Sequence, residues 1–174
     1  EGTYRAAVKI SEMKGVDVMP YAIHVKGIGI GAHGTRSGLD FSTPVAYVTN
    51  VQGGDHTSTS QLPIDNPFSE LTVTFYDSGV FCWFNAMNSP FQVSLDFLEA
   101  VTGWRITPFQ WYNRVGRRII HMQRVALLLG GPDAYWSPKR DDDIPPRFYE
   151  PLPTGPKAGQ SSERAKVEAM KAEY

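Results

Sequence analysis

Thr3, Ala6, Ala7, Ile10 and Met13 fall three or four residues apart from almost the first position, which predicts a helix that Gly15 ends. With a helix under way at residue 2, the sequence reads as a piece of a longer chain. Residues 21–34, YAIHVKGIGIGAHG, alternate around β-branched positions and then dissolve into glycine, the pattern of a short strand and an irregular loop. From Thr35 to Asn66 the periodicity fades among Gly, Ser, Thr, Asp and Pro, apart from a small apolar patch at 44–51. Such a stretch inside a compact protein is often a functional loop. Leu71, Val73 and Phe75 then alternate with Thr72 and Thr74, and that period of two predicts a strand.

Ser94 is placed as the cap of a short helix through Leu95, Leu98 and Val101, stopped by Gly103. The clearest helix follows. Thr107 suits its N-cap, Pro108 its first position, and Gln110 completes a capping box. Tyr112, Val115, Ile119, Met122, Ala126 and Leu129 give it one continuous apolar face, and Gly130 with Gly131 ends it. Residues 137–160, SPKRDDDIPPRFYEPLPTGPKAGQ, mix charge with proline and favour an extended tail on a surface. The last segment reads as a short helix with Ser162 as cap and Arg164 paired to Glu168.

Composition narrows the function. In 174 residues, 41% apolar and 12% aromatic side chains suffice for a core, so wholesale disorder is excluded. Seventeen basic against eighteen acidic residues leave a charge of −1, which argues against a nucleic-acid binder driven by phosphate neutralisation. No apolar run approaches the ~20 residues of a membrane span. Cys82 is the single cysteine, which excludes an intrachain disulfide framework and a multi-cysteine zinc site.

Gly29, Gly31 and Gly34 formally spell a dinucleotide-binding GxGxxG, but TRSGLDFSTP follows and cannot open the helix that would hold a pyrophosphate. His56, after two glycines and Asp55, reads either as a surface histidine or as a group that donates to a substrate oxygen or moves a proton. His24, His33 and His121 read as strand, loop and core-helix positions, with no metal-binding spacing. Cys82 reads either as an inert core thiol or as an iron ligand whose partner cysteines lie elsewhere. Phe81, Trp83 and Phe84 read as packing, and RDDD at 140–143 as a solvated turn.

Taken in order, YAIHVKGIGIGAH, QGGDH, DSGVFC, FLEAVTGW, NRVGRRIIHMQRVALLLGG and DDDIPPRFYEPLPTGPKAG resemble the C-terminal portion of the tungsten-containing aldehyde:ferredoxin oxidoreductase family, over residues from about 2 to 160. In that family a tungsten ion held by two pterins sits beside a 4Fe-4S cluster, magnesium can bridge the pterin phosphates, and aldehydes are oxidised to carboxylic acids with ferredoxin as acceptor. The resemblance implies that Asp77 contacts a pterin and that Cys82 supplies the fourth cluster ligand, as in the family's D-x-x-G-L-C. It makes Phe81 and Trp83 flanking backbone contacts to the pterin, aligns Gln52 with the arginine opening the histidine motif, and makes His56 the active-site histidine. It also implies a helix just before Asp77, overriding the strand that the period of two suggests at 71–75. The sequence departs from the pattern in three places. Gly79 comes one residue earlier than the family's glycine, Gln52 replaces an arginine, and Ser58 replaces a lysine.

The expected architecture is mainly α, an irregular helical domain with long loops and an extended Pro-rich C-terminal tail, part of a larger multidomain enzyme. Residues 1–20 would end a preceding helical domain, 21–160 form the cofactor-facing domain, and 161–174 a terminal tail or helix. The resemblance implies as partners the enzyme's own N-terminal domains, ferredoxin and a small aldehyde, in the cytoplasm, and leaves a homo-oligomer open. The CxxCxxxC group for the other cluster ligands does not occur here, so the isolated piece would be inactive. Two alternatives stay open: a tungsten-dependent reductase of an aromatic thioester on the same architecture, and a non-catalytic structural or interaction domain.

Overall fold

A computed structural model describes residues 2–30, 48–55, 66–86, 88–130 and 136–173. They are mainly helical and group into two units, Glu1–Asn66 with Trp136–Tyr174, and Pro67–Tyr135.

The first unit begins with α1 (Gly2–Lys14), which Gly15 ends in the left-handed conformation with its N–H on the Ser11 carbonyl (2.9 Å). Where a single strand was expected, the chain makes a tight antiparallel hairpin, β1 (His24–Val25) paired with β2 (Ile28–Gly29). Lys26 (φ 51°) and Gly27 (φ 81°) form its two-residue turn. Both central residues are left-handed, as a turn matching strand twist requires, but only the glycine signals this in sequence. Tyr4 of α1 meets the His24 ring edge-on at 5.2 Å. Val48, Ile144 and Val167 form the buried centre of this unit, with Phe148, Tyr149 and Met170 against them.

Within the Pro-rich stretch the chain makes two short helical turns, Pro138–Asp141 and Pro146–Tyr149, then a loop closed by Leu152 N–H on the Gln160 carbonyl (2.9 Å). The terminal helix forms as expected, over Arg164–Glu173. Its Arg164 pairs with Asp143 (2.9 Å) rather than with Glu168, which takes Lys171 (3.1 Å).

The second unit opens within α2 (Asn66–Gly79), which is helical across 71–75, as the family resemblance implied and against the strand that the period of two alone suggested. Leu71, Val73, Phe75 and Tyr76 are all buried, so this helix is apolar on more than one face and the period of two carries no strand signal. Of the interleaved threonines, Thr72 meets the Tyr112 hydroxyl (2.7 Å) and Thr74 donates to the Glu70 carbonyl (2.7 Å), while Ser78, one turn on, donates to the Thr74 carbonyl (2.7 Å). After the short α3 (Trp83–Ala86), α4 (Phe91–Thr102) starts at Pro90 rather than at Ser94, which lies buried in its first turn, and ends at a left-handed Gly103.

The long helix α5 (108–129) forms as expected, with the Thr107–Gln110 capping box intact: Thr107 N–H donates to Gln110 Oε1 (2.9 Å) and Gln110 N–H to Thr107 Oγ1 (3.2 Å). One wide π-turn, Trp111–Val115, interrupts it before Gly116–Leu129 resumes the α-helix. Trp111, Gly116 and Ile120 are its buried positions, whereas His121, Met122, Ala126 and Leu129 are exposed, so the continuous core face ends part-way along. Trp111 and Phe75 meet edge-to-face at 4.9 Å at the heart of this unit, with Tyr76, Ala86 and Leu95. Trp111 Nε1 also donates to the Leu71 carbonyl (2.7 Å).

Candidate functional site

The segment QGGD is a compact turn seated on the hairpin of the first unit. Asn50, fully buried, accepts the Gln52 N–H on its side chain (2.6 Å), and its carbonyl accepts the Gly53 N–H (3.2 Å). Gly54 N–H reaches the Val25 carbonyl of β1 at 3.3 Å. A Cβ on Gly53 would collide with that carbonyl oxygen, and one on Gly54 with the carbonyl oxygen of Ile28. The two glycines are therefore demanded by backbone packed on backbone, and Gly53 additionally by a left-handed φ of 62°. Gln52 is exposed and Asp55 half-buried. His33 and His56 lie outside the described residues.

Beneath this turn sits a feature that no local pattern announces. Lys26, from the hairpin turn, buries its side chain to 5% exposure and donates to the Val48 carbonyl and to Asp142 (2.7 Å), itself 6% exposed. Its ammonium lies 5.6 Å from the centre of the buried Trp136 ring. The expectation of a solvated turn at 140–143 is thus overturned for its last two carboxylates. Asp142 holds a buried cation, and Asp143 accepts from the Tyr149 hydroxyl (2.5 Å) and Arg164. Ionic pairing across long sequence separation leaves no local pattern, so neither partner stood out. Asn50 was missed too, although an Asn three residues before a Gly pair is a recognisable turn signal. His24 keeps its expected strand position; burial, the largest influence, holds its pKa below the ordinary histidine value.

The segment DSGVFC belongs to the second unit and joins α2 to α3. Asp77 is exposed in the last turn of α2, and its carbonyl accepts the Val80 N–H (3.3 Å). Phe81 folds back, donating its N–H to the Tyr76 carbonyl (2.8 Å) and stacking parallel to Phe75 at 5.9 Å. Gly79 is required there, because its Cβ would stand 2.5 Å from the Phe81 ring. Trp83 lies against Tyr76 at 5.6 Å, while Phe84 is exposed. Between two anchored aromatics, Cys82 is exposed, and its carbonyl accepts the Ala86 N–H (2.9 Å). An inert core thiol is not what this chain displays.

Val80 explains the displaced glycine. It occupies the place of the glycine in D-x-x-G-L-C and has a left-handed φ of 59° at 91% exposure. A β-branched residue there is a genuine outlier, so the turn between Asp77 and Cys82 keeps the conformation that a glycine would adopt freely.

The whole chain, residues 1–174, matches the family described as aldehyde ferredoxin oxidoreductase, domains 2 and 3. The chain belongs to that family. It is also 55% identical over 175 residues to the aliphatic sulfonate oxidoreductase, WOR-like subunit, of Pyrococcus furiosus, covering all of this chain and 28% of that protein. The family is one of oxidoreductases. Among the described residues no three His, Cys, Asp or Glu side chains gather as a metal site, and no helix is long and apolar enough to cross a membrane.

Proposed function

We propose that this chain is the C-terminal part of a tungstopterin, iron–sulfur oxidoreductase that converts aldehydes to carboxylic acids and passes the electrons to ferredoxin. The observation that carries the reading is the exposed Cys82 held between anchored aromatics, five residues after an exposed Asp77, within a chain that matches the family over its full length. An exposed thiol on a braced turn fits a cluster ligand, and an exposed carboxylate fits acceptance of hydrogen bonds from a pterin amino group. A 4Fe-4S cluster needs three thiolates beyond this chain's one, so the remaining ligands come from the rest of the enzyme. The pterin-held tungsten, when bound, supplies the two-electron oxidation of the substrate.

Within this reading Asp77 orients a pterin, Cys82 ligates iron, and Phe81 and Trp83 hold the connecting turn rigid by packing inward. His56, next in sequence after the Asn50–Asp55 turn, takes the role of polarising the substrate carbonyl oxygen by donating a hydrogen bond from its imidazole. Exposed Gln52, in the place of the family's arginine, contributes a neutral donor where a cation would bind phosphate or substrate carboxylate.

A second substrate class has a specific observation behind it. The relative at 55% identity is named for an aliphatic sulfonate and as a subunit, so a sulfonate substrate and a partner subunit are the alternative reading. The test is to purify the intact enzyme and assay aldehydes against aliphatic sulfonates with ferredoxin and with a dye acceptor. Turnover of aldehydes at the higher kcat/KM supports the proposal; turnover confined to sulfonates transfers it to the alternative. In the same enzyme, His56→Ala is expected to lower kcat by about a hundredfold or more while tungsten content stays unchanged. Loss of the metal instead would remove His56 from the reacting centre.

A further inference from the structure

The buried Lys26–Asp142 pair lies outside every motif of the family resemblance that carries chemistry, yet it is built directly under one of them. Lys26 is the residue on which Gly53 rests: a Cβ at Gly53 would come 3.2 Å from Lys26 Cβ and would strike the Val25 carbonyl that precedes it. Its ammonium ties three separate segments together, the hairpin turn, the Val48 carbonyl just before Asn50, and Asp142 of the Pro-rich stretch. Burial of such a pair is weak evidence for net stability, since removing two charges from water offsets much of their attraction. Hydrophobic residues of similar volume would serve stability as well. What they would not do is fix the hairpin turn in register with both the start and the seat of the Asn50–Asp55 turn.

We infer that Lys26 is a positioning residue for the Gly53–Asp55 turn, acting through its ion pair with Asp142 to hold the backbone that leads into His56. The inference rests on the reading of QGGDH as an active-site segment. Lys26 touches no reacting atom in this scheme. It acts by restricting where the turn sits, and displacements on the ångström scale near a reacting centre are costly to rate.

The test uses the intact holoenzyme. K26M alone leaves Asp142 buried and uncompensated, so the decisive variant is K26M/D142N, which removes both charges at nearly constant volume. Amide hydrogen exchange over residues 50–55 is expected to quicken at least tenfold in K26M/D142N, with exchange in α1 and in the Arg164–Glu173 helix unchanged. The kcat is expected to fall roughly tenfold with KM and metal content held. Leu95→Ala, which opens a cavity in the buried core of the second unit, serves as the structural control and is expected to leave exchange at 50–55 and kcat alone. Unchanged exchange at 50–55 in K26M/D142N, or an equal change in Leu95→Ala, overturns the inference. Failure of the underlying reading shows separately, as full turnover in His56→Ala.

Discussion

Two turns, one in each unit, carry the residues proposed to meet cofactor and substrate, and they are built on opposite principles. The Asn50–Asp55 turn is buried and overdetermined: two glycines pressed on carbonyls, an asparagine cap, and an ion pair beneath. The Asp77–Cys82 turn is exposed, anchored by the Phe81 and Trp83 rings and by backbone hydrogen bonds such as Phe81 N–H to the Tyr76 carbonyl, and it tolerates a valine in a left-handed conformation. The difference shows where sequence freedom lies. Where backbone packs on backbone, glycine has no substitute; where the turn faces outward, strain of a kcal/mol or so is accepted.

Removing a carboxylate from each turn's surroundings should break the comparison most sharply. Asp142→Ala strands the Lys26 ammonium in a buried site and is expected to cost about 3–5 kcal/mol, read as a large fall in thermal stability or in soluble yield. Asp77→Asn, at an exposed position, is expected to stay within about 0.5 kcal/mol by the same measurement. Backbone changes come next. Gly53→Ala is expected to cost about 3 kcal/mol, from strain at φ 62° and collision with the Val25 carbonyl. Val80→Gly runs the other way, relieving roughly 1–2 kcal/mol of left-handed strain against about 0.5–1 kcal/mol of added chain entropy, for a small net gain in thermal unfolding.

The smallest effect is a pH dependence in the first unit. Burial above all, then the hydrogen bond to Asp143, holds the Tyr149 hydroxyl well above the usual tyrosine value. A phenol with a raised folded-state pKa contributes stability that is complete below its unfolded pKa, about 10, and is lost as pH rises beyond it. The Arg164–Glu173 helix, clasped by Asp143 through both Tyr149 and Arg164, is therefore expected to loosen only above about pH 10. Tyr149→Phe should abolish that alkaline dependence in amide exchange of the helix.

Much of the helical frame was legible because local rules act alone there. The Thr107–Gln110 box, the Gly15 and Gly103 stops and the terminal helix needed only neighbouring residues. The misreadings share one cause, tertiary context. Leu71, Val73 and Phe75 mimic a strand because α2 is buried on several faces. Ser94 looked like a cap, but Pro90 begins the helix earlier. Lys26 drew no attention in the sequence, because its burial depends on Asp142 far along the chain. Of the candidate site, Gln52, Asp77, Phe81, Cys82 and Trp83 could be named from ordered motifs alone, whereas the Lys26, Asn50 and Asp142 scaffold beneath one motif could not.

The central claim is that Cys82 is bonded to iron in the intact enzyme, and electron paramagnetic resonance of the reduced protein tests it most directly. In the Cys82→Ala enzyme the account expects the 4Fe-4S signal to be lost or replaced, with the fold of the second unit kept because the thiol is exposed. A signal of unchanged shape and intensity would contradict it.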